Sequence, residues 1–260
     1  MVIAPAHAGR APDDFRIVFV VLPAYNEAAS LAVVLQALDH AGRESGIDLH
    51  LIVVNDGSSD PTALVARRYT GTFPLSLVEH ATNLGLGAAI RSGLVTAVDL
   101  ASDRDIIVTM DADDTHTPTV ISLMADRIRH GFDVVIASRY RPGSCVIGVP
   151  FHRRLLSDAA SLLLRCVFPT RGVRDFTCGY RAYRASALRR AFGLYREEFI
   201  NQEGFQCMVD ILLKLRRMDL KFTEVPLTLR YDRKSGKSKM KVLHTVIRTL
   251  GLVVRRRLHR

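Results

Sequence analysis

The stretch Ile17-Val-Phe-Val-Val-Leu22, continued at once by Pro23-Ala-Tyr-Asn-Glu27, decides the fold class. Its six apolar residues, mostly β-branched, leave no polar face, which is the composition of a strand covered on both sides within a parallel sheet. Similar near-continuous runs recur at Leu51 to Val54, Leu75 to Val78, Ile106 to Met110 and Val134 to Ala137. Helical stretches alternate with them: Glu27 to His40, Pro61 to Arg68, Gly87 to Val98 and Pro118 to His130. Two of these put proline at the first helical position behind a capping residue, Asp60 before Pro61 and Thr117 before Pro118. The alternation predicts an α/β domain with a mostly parallel, Rossmann-like sheet flanked by helices.

Ligands of such sheets bind beyond the carboxyl ends of the strands. The residues just after each run are therefore informative: Pro23-Ala-Tyr-Asn-Glu27, Asn55-Asp-Gly-Ser-Ser-Asp60, Asp111-Ala-Asp113 and Ser138-Arg-Tyr140. Polar and acidic residues collect on one rim. Asp111 and Asp113 close a buried strand, and carboxylates at that spacing can converge on a hard divalent cation, Mg²⁺ or Mn²⁺, that holds a diphosphate. Turn chemistry alone accounts for Asp56 as readily as a ribose or base contact does. Gly85-Leu-Gly87 imitates a dinucleotide fingerprint, but Ile90 stands where its third small residue belongs, so a Rossmann dehydrogenase is excluded. Asn83-Leu-Gly-Leu-Gly87 instead turns the chain into a helix.

At 260 residues the chain is long enough for one large domain, and 48% apolar with 24% charged residues is ordinary for a globular protein. Cys145, Cys166, Cys178 and Cys207 form no C-x-x-C pair, which excludes zinc-ribbon and thioredoxin-like chemistry and suits a reducing cytoplasm. The net charge of +10 is concentrated: from Arg230 to Arg260 there are eleven basic residues and one acid, so the first 229 residues sum to zero. This divides the chain into 1–229, a neutral α/β domain, and 230–260, a basic segment addressed to something anionic. Asp13 and Asp14 stand where a signal peptide would be apolar, and no run approaches the ~20 residues of a membrane span.

After residue 150, Leu155 to Phe168 and Phe205 to Leu215 read as amphipathic helices and Lys221 to Thr228 as a strand. Near the end, Val242, Leu243, Val246, Ile247, Leu250, Val253 and Val254 recur at helical spacing beside Lys241, Arg248 and Arg255-Arg-Arg257. That predicts a basic amphipathic C-terminal helix, suited to an anionic membrane interface or to packing on the protein's own core or a second subunit.

Taken in order, Pro23 to Glu27, Asn55 to Asp60, Asn83 to Gly87, Asp111 to Asp113 and Ser138 to Tyr140 resemble the motifs of family 2 glycosyltransferases with the GT-A fold. Arg153-x-x-x-Ser157, Asp175-Phe-Thr-Cys-Gly-Tyr-Arg181, Glu224-Val-Pro226 and Arg233-Lys-Ser-Gly-Lys-Ser-Lys239 are similar to those of dolichol-phosphate mannose synthases and other polyprenyl-phosphate glycosyltransferases. The resemblance spans roughly residues 16–241. It implies a metal-dependent, inverting hexosyltransferase, most simply one moving mannose from GDP-mannose to an isoprenoid phosphate, peripheral at the cytosolic membrane face. The rivals are a UDP-glucose or soluble-acceptor enzyme and, from another class, an anionic-membrane or nucleic-acid binding module. No recognisable nucleic-acid module is present.

By the same resemblance Pro23, Tyr25, Glu27 and Asp56 hold the base and ribose of the nucleotide sugar. The segment Asp111, Ala112, Asp113 binds it through Mg²⁺ or Mn²⁺, with Asp111 and Asp113 as ligands. Arg139, Arg153, Arg233 and Lys239 surround the donor diphosphate and acceptor phosphate. The catalytic set is then Asp113, Arg139, Arg153 and Asp175. One departure is plain: Thr115 stands where the family has a metal-binding Gln, which leaves Asp114 or His116 as substitutes, His116 being read first as a surface residue at a helix start. A phosphate monoester has a second pKa of ~6 and needs no strong base. Asp175 and Glu203 become candidate bases only for an alcohol acceptor; otherwise Asp175 orients an arginine and Glu203 supplies helix N-terminal charge.

Overall fold

The computed structural model describes residues 17–234 together with Arg248 and Gly251. Of the predicted amphipathic C-terminal helix only Arg248 and Gly251 are described, and Lys239 lies outside the described residues. The apolar runs form strands β1 (Val18–Ala24), β2 (Leu49–Asp56), β3 (Leu75–His80), β4 (Ile106–Thr109) and β5 (Val134–Ser138). The intervening helices are α1 (Ala28–Ser45), α2 (Thr62–Tyr69), α3 (Leu86–Leu100) and α4 (Val120–Arg129). Beyond them come β6 (Cys145–Ile147), α5 (Phe151–Val167), β7 (Arg181–Arg184), α6 (Ala185–Tyr195), α7 (Gln206–Leu215), β8 (Phe222–Pro226) and β9 (Thr228–Arg230).

Seven strands form one sheet in the order β3-β2-β1-β4-β7-β5-β8. All neighbours are parallel except β7, which runs antiparallel to both β4 and β5. Sequence pattern does not mark β7, because Arg-Ala-Tyr-Arg carries charge at both ends. Its Arg181 is nonetheless fully buried, donating to the carbonyls of Met208 at 2.6 Å and Phe176 at 2.8 Å. The expected strand Lys221 to Thr228 is two strands: at Leu227 the chain leaves β8 in the large sheet for β9, which pairs with β6. β9 crosses the expected boundary at residues 229 and 230.

Burial explains the strand composition. Val18 to Leu22 and Leu51 to Val54 are at most 2% exposed, with α3 packed on β1 and β2 and α4 on β5, β7 and β8. β2 and β4 lie on opposite sides of β1, so the strand order reverses between the ends of β1 and β4, the position where open α/β sheets take ligands. Among the described residues no helix is long and apolar enough to cross a membrane.

Candidate active site

Two loops at the carboxyl rim are locked into one unit. Asn26 adopts φ 51°, a left-handed conformation that a short polar side chain tolerates. Its Oδ1 accepts the backbone N–H groups of Ser59 at 2.8 Å and Asp60 at 3.3 Å, while its own N–H donates to Ser58 Oγ at 2.9 Å. Asp60 serves both helices that start here: Oδ2 accepts from Ala28 N at 3.0 Å and Oδ1 from Thr62 N at 3.0 Å. Asp60 is therefore bonded to the first residue of both helices, although Pro61, expected at the first helical position of α2, stands just before it as the N-cap. Thr117 behaves differently, its hydroxyl donating to Thr228 O at 3.3 Å rather than capping α4. The locked loops carry Pro23, Tyr25 and Glu27; Tyr25 is exposed, and Glu27 Oε2 accepts from Ser30 Oγ at 2.8 Å.

Asp56 ends β2 almost fully buried. It accepts from Leu84 N and Gly85 N, each at 2.9 Å, and from the His80 ring at 2.7 Å. Close backbone approach beside it requires glycine: a Cβ on Gly57, at φ +64°, would lie 2.2 Å from the Thr82 carbonyl carbon. At the start of α3 a Cβ on Gly87 would lie 1.9 Å from Gln202 O, so the loop before α7 rests on that helix.

The D-x-D segment comes directly after β4. Asp113 is buried and Asp111 half-buried, with Ala112 packed between them, and each is tied down by a neighbour. Asp111 N donates to His116 Nδ1 at 3.3 Å; Thr115 Oγ donates to Asp113 Oδ1 at 2.6 Å. Thr115 thus orients an acidic residue. His116 is no surface residue: it is 6% exposed and stacks on Tyr180 with centroids 4.9 Å apart. Arg230 N bonds Thr115 O at 2.9 Å and His116 bridges Leu229, which lays the chain after β9 along this loop. Lys234, unforeseen in the sequence, thereby ion-pairs with Asp113.

Charge is set by this packing. Burial, with Asp113 and Glu27 nearby, holds the Asp111 carboxyl above the ordinary range although His116 and Lys234 oppose it. Burial pushes Asp113 the same way, but Lys234 and the Thr115 hydroxyl overcome it and hold Asp113 below the ordinary range. The ammonium of Lys234 is a cation already seated at these carboxylates, so the donor set fits a hard divalent ion. Among the described residues no three His, Cys, Asp or Glu side chains group closely enough to hold a metal alone, so such an ion would complete its shell from diphosphate oxygens and water.

A second node lies across the rim. Arg139 makes a two-pronged pair with fully buried Asp175, Nε to Oδ2 at 2.8 Å and NH2 to Oδ1 at 2.7 Å. NH2 also donates to Thr177 Oγ at 2.6 Å, and NH1 to Ser157 Oγ on α5 at 2.7 Å. Asp175 is held below the ordinary carboxylate range because Arg139 overcomes the effect of burial, and Arg139 is raised in return. Glu224 supports the node by accepting from Arg174 N and Asp175 N at 2.6 and 2.7 Å. Asp175 orients an arginine. Arg153 lies on α5 one turn before Ser157, its side chain outside the described residues, and Arg233 is exposed after β9.

With this geometry in place, comparison with known proteins is decisive. Residues 19–192 match the family described as "Glycosyl transferase family 2". The chain belongs to glycosyl transferase family 2. It is 31% identical over 223 residues to a polyprenol monophosphomannose synthase of Mycolicibacterium smegmatis, covering 85% of this chain and 80% of that protein. It is 35% identical to an undecaprenyl-phosphate mannosyltransferase of Micrococcus luteus, covering 86% and 87%. A dolichol-phosphate mannosyltransferase of Pyrococcus furiosus is 32% identical, and there the match spans 86% of this chain but 59% of the relative. The fold matches glucosyl-3-phosphoglycerate synthase of Mycobacterium tuberculosis, crystallised with Mn²⁺ and UDP, with TM-score 0.67 and 20% identity over 93% of this chain and 80% of that one. The architecture is accordingly GT-A.

For a family 2 glycosyltransferase, the rim unites most of the residues named from sequence. Glu203 is largely exposed and paired with Arg248 at 3.1 Å. The sequence named neither Lys234, His80 nor Thr177 individually. Lys234 and Thr177 lie inside quoted motifs, while His80 has the weaker signal of standing at the end of an apolar run.

Proposed function

We propose that this family 2 glycosyltransferase transfers mannose from GDP-mannose, with inversion, to a polyprenyl phosphate at the cytosolic membrane face. What carries the reading is identity of 31–35% to three prenyl-phosphate mannose transferases over 85–86% of the chain. A phosphate monoester oxygen of the acceptor attacks the anomeric carbon as the bond to the diphosphate breaks, and GDP leaves. Pro23, Tyr25, Glu27 and Asp56 hold the nucleoside. Asp111 and Asp113 would hold a Mg²⁺ or Mn²⁺ ion, which when bound neutralises charge on the departing diphosphate.

Arg139 has five N–H donors, of which four are engaged by Asp175, Thr177 and Ser157, leaving one on NH1 beside Ser157. That donor, with the Ser157 hydroxyl on α5, provides a place for an acceptor phosphate oxygen, and Arg153 adds a positive charge to the same helix. Arg233 and Lys239 bring charge from the basic segment, and 230–260 acts as an appendage to the catalytic domain 1–229. The test is GDP release from GDP-mannose with Mg²⁺ or Mn²⁺, with and without a short polyprenyl phosphate, for wild type and Asp113→Ala. Release that requires lipid and metal and vanishes in the variant supports the reading. Equal release from UDP-glucose, or independence from the lipid, overturns it.

A further inference from the structure

The parallel register of β2 and β3 sets His80 directly beside Asp56. The His80 ring is the centre of a three-residue chain: Nδ1 lies 2.7 Å from Asp56 Oδ1, and Nε2 lies 2.9 Å from Ser92 Oγ on α3. A carboxylate only accepts, so Nδ1 carries a proton toward Asp56; in the neutral ring Nε2 then accepts from the Ser92 hydroxyl, and in the protonated ring it donates to Ser92 Oγ. The pair is sheltered, the His80 side chain being 9% exposed and that of Asp56 4%.

This arrangement limits what Asp56 has left to offer. A carboxylate presents about four lone-pair sites. Oδ1 accepts from His80 and from Leu84 N, and Oδ2 accepts from Gly85 N. One site remains, on Oδ2. Guanine presents two adjacent donors on its pairing edge, N1–H and the 2-amino group, and a carboxylate that grips both must use both oxygens. Oδ1 is already filled.

We propose that His80 is a positioning residue of the nucleotide subsite: it fixes Asp56 so that a single N–H of the donor's base is accepted at Oδ2, and a two-pronged clamp on guanine is unavailable. The proposal rests on the reading that Asp56 faces the base. It assigns recognition of the 2-amino group, where that occurs, to groups other than Asp56. Ser92 holds the ring in the required plane.

The experiment is calorimetric binding of GDP and inosine diphosphate, which lacks the 2-amino group, in the presence of Mn²⁺. Wild type, Asp56→Asn, His80→Phe, His80→Asn and Ser92→Ala are compared, with donor KM and kcat and a thermal melt for each. His80→Phe is expected to weaken GDP about tenfold, since a buried carboxylate loses a charge-assisted partner, and to raise KM while kcat holds. His80→Asn, whose amide N–H falls near the Nδ1 position, restores most of the affinity; Ser92→Ala costs about twofold to threefold. Asp56→Asn weakens GDP and inosine diphosphate by the same factor. A larger loss for GDP means a two-pronged clamp and overturns the proposal, as does a folded His80→Phe enzyme with wild-type affinity and KM. If Asp56→Asn leaves both affinities unchanged, the base-facing reading of Asp56 fails and the proposal with it. Should His80→Phe not fold, the His80→Asn and Ser92→Ala pair and the nucleotide comparison still decide.

Discussion

Lys234 presents its ammonium to Oδ2 of Asp113, a residue 121 positions earlier in the chain. The contact exists because Arg230 N and Leu229 pin the segment after β9 to Thr115 and His116. A lysine on an acidic residue of the D-x-D segment competes with any other cation drawn there. Lys234→Met should therefore bind Mn²⁺ about three- to fivefold more tightly, equivalent to about 0.7–1 kcal/mol for a partly exposed ion pair. Titration monitored by Mn²⁺ electron paramagnetic resonance reads this without turnover. Unchanged binding would show that Lys234 does not compete, and weaker binding that it assists the cation.

The Arg139–Asp175 pair predicts an acid limb of stability. Asp175 titrates below its ordinary value of 3.8 in the folded chain, so its contribution is complete above that value and is lost as pH falls through the lower folded one. Between about pH 5 and 2, wild type should lose stability that Asp175→Asn never had, and the variant's curve should be flatter by one proton. Near neutral pH the variant should be about 2–3 kcal/mol less stable, because a half-buried arginine is left without its counter-charge. Urea midpoints across pH measure both. Parallel curves for the two proteins would contradict the assignment.

Gly57→Ala tests the close approach beside Asp56. At φ +64° alanine is strained, and its methyl would meet the Thr82 backbone at 2.2 Å, which no side-chain rearrangement relieves. The expected cost is about 1–3 kcal/mol. The loop that supplies Leu84 N and Gly85 N to Asp56 must also shift, so donor KM should rise more than kcat falls. A variant melting with wild type and with unchanged KM would refute this.

Five strands and the acidic rim were legible because each rests on a local cause. β-branched runs such as Val18 to Leu22 are buried on both faces, and turn residues such as Asn26 and Asp60 are needed where they stand. β7 was not legible, since Arg181 is apolar in neither composition nor period; its burial depends on carbonyls of Phe176 and Met208 that only the tertiary fold supplies. His116 misled for a related reason. Its position before Pro118 suggests solvent, whereas Tyr180, remote in sequence, provides the face on which it stacks. Arg139 and Asp175 were both named, but their pairing through space, with four of five guanidinium donors engaged, is a property of the folded chain.

Asp60→Ala separates loop locking from chemistry. The carboxylate caps α1 through Ala28 N and α2 through Thr62 N, so removing it leaves donors unmet at two helix starts. Loss of a cap costs about 0.5–2 kcal/mol, and two shared caps place the expected loss near the upper end. Asp60 lies outside the Asp111–Asp113 pair and the arginine node, so the chemical step should be little affected. Tyr25 and Glu27, however, ride on the loop that Asp60 and Asn26 hold against Ser58 and Ser59. Donor KM should rise several-fold with kcat nearly constant, and Asp60→Asn, which keeps one acceptor, should lie between. Chemical denaturation and steady-state kinetics on the three proteins give the answer; a fall in kcat at constant KM would mean that the loop takes part in the transfer step itself.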